Sequence, residues 1–458
     1  MKNTIYQKSP HVLQNILISL FNIIEYKKRY GGKYTAFRKI AKDNSSLSLI
    51  ELQKIQNEKF IRFIIWASHH SPFYKDKFAG LKLPDSVSAI TQLPLISKED
   101  FKKNINAVHT IKRNEGLVAK TGGTTGVSME VVYTPENMQE RFAMLDHFRS
   151  QFGYQLGKKT AWFSGKSLLN NYDIKNNRFW KTDHVHKVRY YSTFHIKEEF
   201  LKFYVEDLIT FQPQYLVGYP STLFEIAKYG TRNGYHFPKK TVKAIFPTSE
   251  TVTNEMRIVI GDFFHTVLPD QYASSEGAPF IFQCSAGKLH LELQSGVFEV
   301  LDEMGNPANS GRLVVTSFTT YGTPLIRYEI GDTIALENSE AKCNCGNNNP
   351  LVKEILGRVD DFIFSPEVGK INLVNVANSS KGTHGIVKFQ VLQNKLNELQ
   401  ISMVTDTSFT AEDEKVFLKN WRERVGNTMQ IEIKKVADIS VEKSGKFRIV
   451  KNNIKHLL

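Results

Sequence analysis

The spacing of apolar and polar positions divides the chain into three regions. Up to about residue 115 apolar residues recur at helical spacing, as in "NILISLFNIIEYKKRYGG", where Leu13, Ile16, Leu17, Leu20, Phe21 and Ile24 form one stripe. Stop signals fall at "HHSPFYKDKF" and "LPLISKEDF", and in the latter Ser97 is placed to cap a helix beginning near Lys98. From about 116 to 330, short β-rich runs ("TAWFSG", "YLVGY", "VKAIFP", "TVLPDQYAS") alternate with helical ones ("EEFLKFYVEDLITF", "STLFEIAKYG"). That alternation predicts α/β layers on a largely parallel sheet. A strand-rich stretch follows, with "EMGNP" as a hairpin turn, and the pattern changes again near "LGRVDD". The last hundred residues hold a few strands, one clear helix ("AEDEKVFLKNWRERVG") and a basic ending. The expected fold class is α/β: a large N-terminal domain over residues 1–357, mostly helical to 115, and a small α+β domain over 358–458.

Composition narrows this picture. With 458 residues, 41% hydrophobic and 23% charged, the chain is globular and long enough for two or three domains. Its net charge of +14 favours anionic ligands without naming one. There is no basic stripe interleaved with aromatics and no nucleic-acid module, so nucleic acid is not an expected partner. "MKNTIYQKSP" lacks a signal-peptide core, and three cysteines do not suit a disulfide framework, so a reducing, cytoplasmic setting is expected. No apolar run reaches the ~20 residues of a membrane span. The N-terminal stripe, followed by Lys27, Lys28, Arg29, Lys33, Arg38 and Lys39, leaves two readings open. The commoner is a helix packed by its stripe on the body of the protein. The other is a helix lying on the inner face of an anionic membrane.

The candidate chemistry begins at "VAKTGGTTGVSMEVVYT". In Thr121, Gly122, Gly123, Thr124, Thr125 and Gly126, glycines allow close approach, backbone N–H groups can form an anion nest, and threonine hydroxyls can donate to phosphate. A plain turn is the competing reading, and no Gly-Lys-Ser/Thr closes a Walker A loop. "QYASSEG" places Ser275 and Glu276 at a strand end, and the carboxylate is a hard ligand suited to Mg²⁺. "PLIRYEIGD" ends in Asp332, whose oxygens can accept both hydroxyls of a ribose. "GRVDDFI" supplies Arg358, a donor fork for ribose or phosphate, and "EKSGKFRIV" supplies Lys446. Taken singly, each of these is more often a surface or turn residue.

The order of these segments resembles the adenylate-forming ligases. Within them it is most similar to the phenylacetate–CoA ligase-like family and its capsular-polysaccharide relatives. The resemblance covers about residues 60 to 458, through "SPFYKDKF", "LPLISKEDF", "TGGTTG", "FPTSETV", "QYASSEG", "PLIRYEIGD", "GRVDDFI" and "SGKFR", with "RYGGKY" a weaker sign of the capsular branch. It implies that a carboxylic acid attacks the α-phosphate of ATP, giving an acyl-adenylate, and that a thiol such as coenzyme A or an amine on a sugar or amino acid then takes the acyl group. It assigns catalysis to Lys446, Glu276 and Thr125, ribose binding to Asp332, the adenine surroundings to Glu250 and Tyr272, and a hinge to Asp360, about which the terminal domain swings. The alternatives are a catabolic aryl- or acyl-CoA ligase and a nucleotide-binding scaffold that has lost catalysis. Gly122 stands where the family usually has serine and Ala273 where glycine is common, and no proline-arginine precedes Lys446. These departures bear on turnover more than on fold. Trp162, Phe163, Tyr219 and Phe246 would suit an apolar acyl group or, more simply, core packing.

The three cysteines suggest one more site. Cys284 and His290 in "CSAGKLH", with Cys343 and Cys345 in "KCNCGN", make a closed tetrahedral set for structural Zn²⁺. The alternative is a polar turn with reduced thiols. Some relatives in the resembled family carry a similar arrangement with zinc.

Overall fold

A computed structural model of the chain describes residues 6–120, 129–358, 361–442 and 445–457. The glycine-threonine loop at 121–126 and the hinge candidate Asp360 lie outside the described residues. Two compact units emerge, one of Met1–Leu17, Lys159–Leu268 and Leu356–Leu458, the other of Ile18–Lys158 and Pro269–Ile355.

In the first unit, a five-stranded sheet runs in the order Trp180–Asp183, Val188–Ser192, Thr160–Ser164, Tyr215–Gly218, Ala244–Pro247. All its pairings are parallel except that of Trp180–Asp183 with Val188–Ser192. Parallel strands covered on both faces need continuous apolar runs, and "YLVG" and "AIFP" are buried at every position. Helices Glu198–Phe211 and Pro220–Arg232 supply crossovers, Asn254–Phe264 follows the last strand, and Phe163, Tyr204, Leu208, Leu216, Ile245 and Phe264 form the core. Phe163 and Phe246 are fully buried, so they pack the core and do not line an acyl pocket. The run "TVLPDQYAS" departs from expectation. Only Gln271–Tyr272 is a strand, and it belongs to the other sheet. Pro269 has no N–H to continue a ladder, so the chain leaves the parallel sheet there.

The same unit holds a four-stranded sheet ordered Gln430–Lys435, Glu398–Thr405, Ile386–Lys395, Val450–Asn452. The expected helix is present as Ala411–Val425, started by a capping box between Thr410 and Asp413. Its Phe417 and Trp421 sit edge-on to each other at 6.1 Å and pack on Phe389, Ile401 and Met403.

The second unit opens helical, as expected. Leu49–His70 begins with a Ser48–Glu51 capping box, and Ser97 does cap Lys98–Lys103, its hydroxyl accepting from Asp100 N at 3.1 Å. These helices cover a largely antiparallel seven-stranded sheet ordered Gly296–Leu301, Ser310–Ser317, Leu325–Leu336, Leu351–Arg358, Leu289–Leu291, Ile281–Gln283, Gln271–Tyr272. The "EMGNP" turn closes its first hairpin, where Asp302 N donates to Asn306 O at 2.9 Å and Asp302 Oδ1 accepts from Asn306 N at 2.8 Å.

The N-terminal helix, His11–Tyr30, forms where the periodicity placed it, but its stripe does not pack inward. Leu13, Ile16, Leu20, Phe21 and Ile24 are exposed, whereas Gln14, Asn15 and Ser19 are buried. Among the described residues no helix is long and apolar enough to cross a membrane.

Removing the fully buried Trp421 should leave a cavity that the sheet can only partly close. Trp421→Ala is expected to destabilise this region by about 3–5 kcal/mol. Hydrogen exchange at the Glu398–Thr405 amides would register the loss, and protection equal to wild type would contradict this packing.

Candidate nucleotide and metal sites

Glu276 follows the short strand Gln271–Tyr272 and is buried. A buried carboxylate must be met by donors, or its desolvation is uncompensated. Both oxygens are met. Lys98 Nζ lies 2.7 Å from Oε1, and the Tyr328 hydroxyl donates to Oε2 at 2.8 Å. The backbone around it is fixed as firmly. Tyr133 OH donates to Ser275 O at 3.0 Å, and the buried Arg141 donates to Gly277 O and Ala278 O at 3.0 Å and to Thr319 Oγ1 at 2.8 Å. Gly277 has φ +101°, and a Cβ there would come within 2.3 Å of Thr320 Cγ2, so only glycine follows Glu276 in this turn.

In the same unit Tyr272 OH donates to Asp332 Oδ2 at 2.6 Å, which joins two of the residues expected at the nucleotide. Asp332 is buried on the long strand Leu325–Leu336, while Ser275 faces solvent. Glu276, with one donor already on each oxygen, is chemically suited to serve as one hard oxygen ligand. That fits Mg²⁺, which takes one or two carboxylates and fills its shell with phosphate and water, with Lys98 competing for the same oxygen.

Glu250 and Lys446 come together in the first unit. Glu250 Oε2 accepts from Ser221 N and Oε1 from Phe447 N, each at 3.1 Å. Burial pushes its pKa up, and the Ser221 and Phe447 donors and the Lys446 charge pull it back. The turn that presents Lys446 needs its glycine. Gly445 has φ +78°, and a Cβ there would meet Thr193 Oγ1 at 2.4 Å. Arg358 ends the strand Leu351–Arg358 on the surface.

Cys284, His290, Cys343 and Cys345 converge as expected, their ligand atoms all within 4.8 Å of one another. Cys284 Sγ and Cys343 Sγ are 3.6 Å apart, and Cys345 Sγ lies 3.5 Å from His290 Nε2. Metal–sulfur bonds of about 2.3 Å and metal–nitrogen bonds of about 2.0 Å in a tetrahedron imply edges of roughly 3.5–3.8 Å. His290 Nδ1 lies 3.1 Å from Asn349 O, which leaves Nε2 to bear the lone pair toward the thiols. Burial holds the imidazole below its usual pKa, in the neutral form that binds metal.

Residues 363–453 match the family model described as the CapK C-terminal domain. The chain is 34% identical to Protein CapK of Staphylococcus aureus over 466 residues, covering 99% of this chain and 100% of that one. The chain belongs to the CapK family. Among solved structures, 2-hydroxyisobutyryl-CoA ligase in the postadenylation state with 2-HIB-AMP gives a TM-score of 0.73 at 16% identity, over 90% of the CapK-family chain and 92% of the ligase. The anthranilate CoA ligase AuaEII, in complex with anthranoyl-AMP, gives 0.52 at 11% identity over 79% and 74%. At these identities the likeness is one of fold. The CapK-family chain has the α/β fold of the adenylate-forming ligases, with a large N-terminal domain and a smaller C-terminal one.

Lys98, Tyr328, Tyr133 and Arg141 escaped the sequence reading. Lys98 was legible only as the first residue after a cap, and the others lie on elements whose contact with "SSEG" is purely tertiary. Tyr328→Phe should leave one buried Glu276 oxygen without its hydroxyl donor and lower the unfolding free energy by about 1–3 kcal/mol. Urea denaturation tests this, and an unchanged midpoint would remove the hydroxyl from the support of Glu276.

Proposed function

We propose that this chain activates a carboxylic acid as an acyl-adenylate with ATP and passes the acyl group to a thiol or amine. The observation that carries the reading is the pairing of a buried, donor-fixed Glu276 with a joined Tyr272–Asp332 pair in a fold of acyl-AMP ligases. In the first step a carboxylate oxygen of the acid bonds to the α-phosphorus of ATP, the bond to the bridging oxygen breaks, and pyrophosphate leaves. In this reading Asp332 accepts the ribose hydroxyls, Tyr272 and Glu250 lie near the adenine, and Ser275 and Arg358 donate to nucleotide oxygens. Thr121, Gly122, Gly123, Thr124, Thr125 and Gly126 cradle the phosphates. Bound Mg²⁺, held by Glu276, would offset charge on the phosphoryl oxygens. Lys446 adds a point charge where negative charge develops, worth most in the transition state. The Glu250 carboxylate, by accepting from Phe447 N, holds the backbone next to that lysine.

In the second step the nucleophile attacks the acyl carbon, AMP leaves, and the nucleophile's proton passes to solvent. The domain over 358–458 turns about Asp360 between the steps, taking Lys446 out of the site. A thiol acceptor is supported by the fold's likeness to 2-hydroxyisobutyryl-CoA ligase in complex with 2-HIB-AMP and CoA. Membership of the CapK family favours a setting in surface-polysaccharide assembly, where an amine on a sugar or amino acid would be the acceptor. Cys284, His290, Cys343 and Cys345 hold a structural Zn²⁺ in this reading, and the edge lengths support it.

Lys446→Ala should cut acyl-adenylate formation, followed as ATP-dependent pyrophosphate release across a panel of acids, by about 100-fold or more. ATP binding should change little, and transfer from a supplied acyl-adenylate should survive. Equal slowing of both half-reactions, or of neither, would overturn the alternation. No pyrophosphate release from the wild type with any acid would favour the scaffold reading.

Protein purified without chelator should carry about one zinc per chain, and stripping it should lower stability, since structural metal binding is coupled to folding. Elemental analysis finding no metal would remove the site.

A further inference from the structure

The N-terminal helix is built inside out for a helix on a protein surface. Its exposed face carries Val12, Leu20, Phe21 and Ile24 at 71%, 56%, 60% and 58% exposure, with Leu13, Ile16 and Ile23 also in the open, while Gln14 is 0% exposed. At 100° per residue these seven apolar side chains fall within one half of the helix circumference, as does Lys27.

The inversion is held in place by buried polar chemistry. Gln14 Nε2 donates to Tyr6 O at 2.8 Å and its Oε1 accepts from the Lys181 ammonium, itself fully buried and 2.7 Å from Asp173 Oδ1. Asn15 Oδ1 accepts from Thr182 N at 3.0 Å, Asn15 Nδ2 lies 3.1 Å from His11 Nε2, and His11 Nδ1 lies 3.3 Å from Asp173 Oδ1. Rotating the helix to bury its apolar stripe would take the Gln14 acceptor from the buried Lys181 ammonium and the Asn15 acceptor from a buried backbone amide, so the apolar face stays outside.

We propose that this face docks the protein on an anionic lipid bilayer, the helix lying in the interface with its apolar residues among the acyl chains. Charge favours this occupant. The last turn carries Lys27, Lys28 and Arg29, no acidic residue lies in the first turn, and exposed Lys33 and Lys39, in surface ion pairs with Glu136 and Asp43, follow closely. Apolar residues flanked by cations are the pattern of helices that bind anionic membrane surfaces. A second copy of the chain fits poorly on the same grounds. An antiparallel helix pair would bring each basic last turn to a first turn without acid, and a parallel pair would set cations against cations. Glu25, on the same helix, is already paired with Lys28 at 2.7 Å.

Flotation with vesicles tests this on the full chain. Wild-type protein should bind phosphatidylcholine vesicles containing about 30 mol% phosphatidylglycerol at low salt, and pure phosphatidylcholine at least about 10-fold more weakly. Leu20→Ser, Phe21→Ser and Ile24→Ser combined should weaken binding to the anionic vesicles at least about 10-fold. The three sites are exposed, so the unfolding midpoint and pyrophosphate release should stay as in wild type, which separates this proposal from the ligase reading. Failure of the wild type to float with anionic vesicles, equal binding of the triple variant, or equal binding to pure phosphatidylcholine would overturn it. So would a wild-type dimer in sedimentation that the triple variant disperses while neither protein binds vesicles.

Discussion

A carboxylate taken out of water has to be met by donors, and in this protein that requirement organises the neighbourhood of the candidate site. Glu276 is met by an ammonium from one helix and a hydroxyl from the long central strand, Lys98 and Tyr328. The turn that carries it is fixed by Arg141 and Tyr133 through backbone carbonyls. Helix Lys98–Lys103, helix Pro135–Ser150 and strand Leu325–Leu336 must therefore converge on "SSEG" for the carboxylate to be tolerated at all. Each Glu276 oxygen thereby has a donor of its own, and a bound cation would have to share Oε1 with Lys98.

The same requirement recurs at Glu250, with a different outcome. There the donors are mostly backbone amides, one of them from the segment that carries Lys446, so the half-buried carboxyl group ties that segment to the strand end after Ala244–Pro247. At the N-terminus it decides which face of a helix points inward. Gln14 and Asn15 answer Lys181 and Thr182, and the apolar stripe is left to solvent. Satisfying buried polar groups outweighed burying leucine and phenylalanine, because a buried polar group left without its partner costs more than a buried methylene gains.

The Cys-His cluster shows geometry set by strands and a loop together. His290 is aimed by strand Leu289–Leu291 and by Asn349 O, whereas Cys343 and Cys345 lie in a loop that folds back to within 3.6 Å of the first cysteine. Four donors from segments about sixty residues apart thereby converge to within 4.8 Å of one another.

Local rules were enough to read much of this protein from its sequence. The Ser97 cap, the helices Glu198–Phe211 and Ala411–Val425, the parallel strands "YLVG" and "AIFP" and the "EMGNP" hairpin each depend on neighbours within a few residues. The convergence of Cys284, His290, Cys343 and Cys345 was legible for a different reason, since few residue types bind soft metals. Tertiary structure decided what pairs across distance. That Lys98 and Tyr328 serve Glu276, that Tyr272 meets Asp332, and that Glu250 accepts from Phe447 are long-range facts with no local signature. The N-terminal helix marks the boundary most clearly. Its period fixed that it would be a helix, but the buried Lys181–Asp173 pair, some 160 residues away, fixed which side faces water.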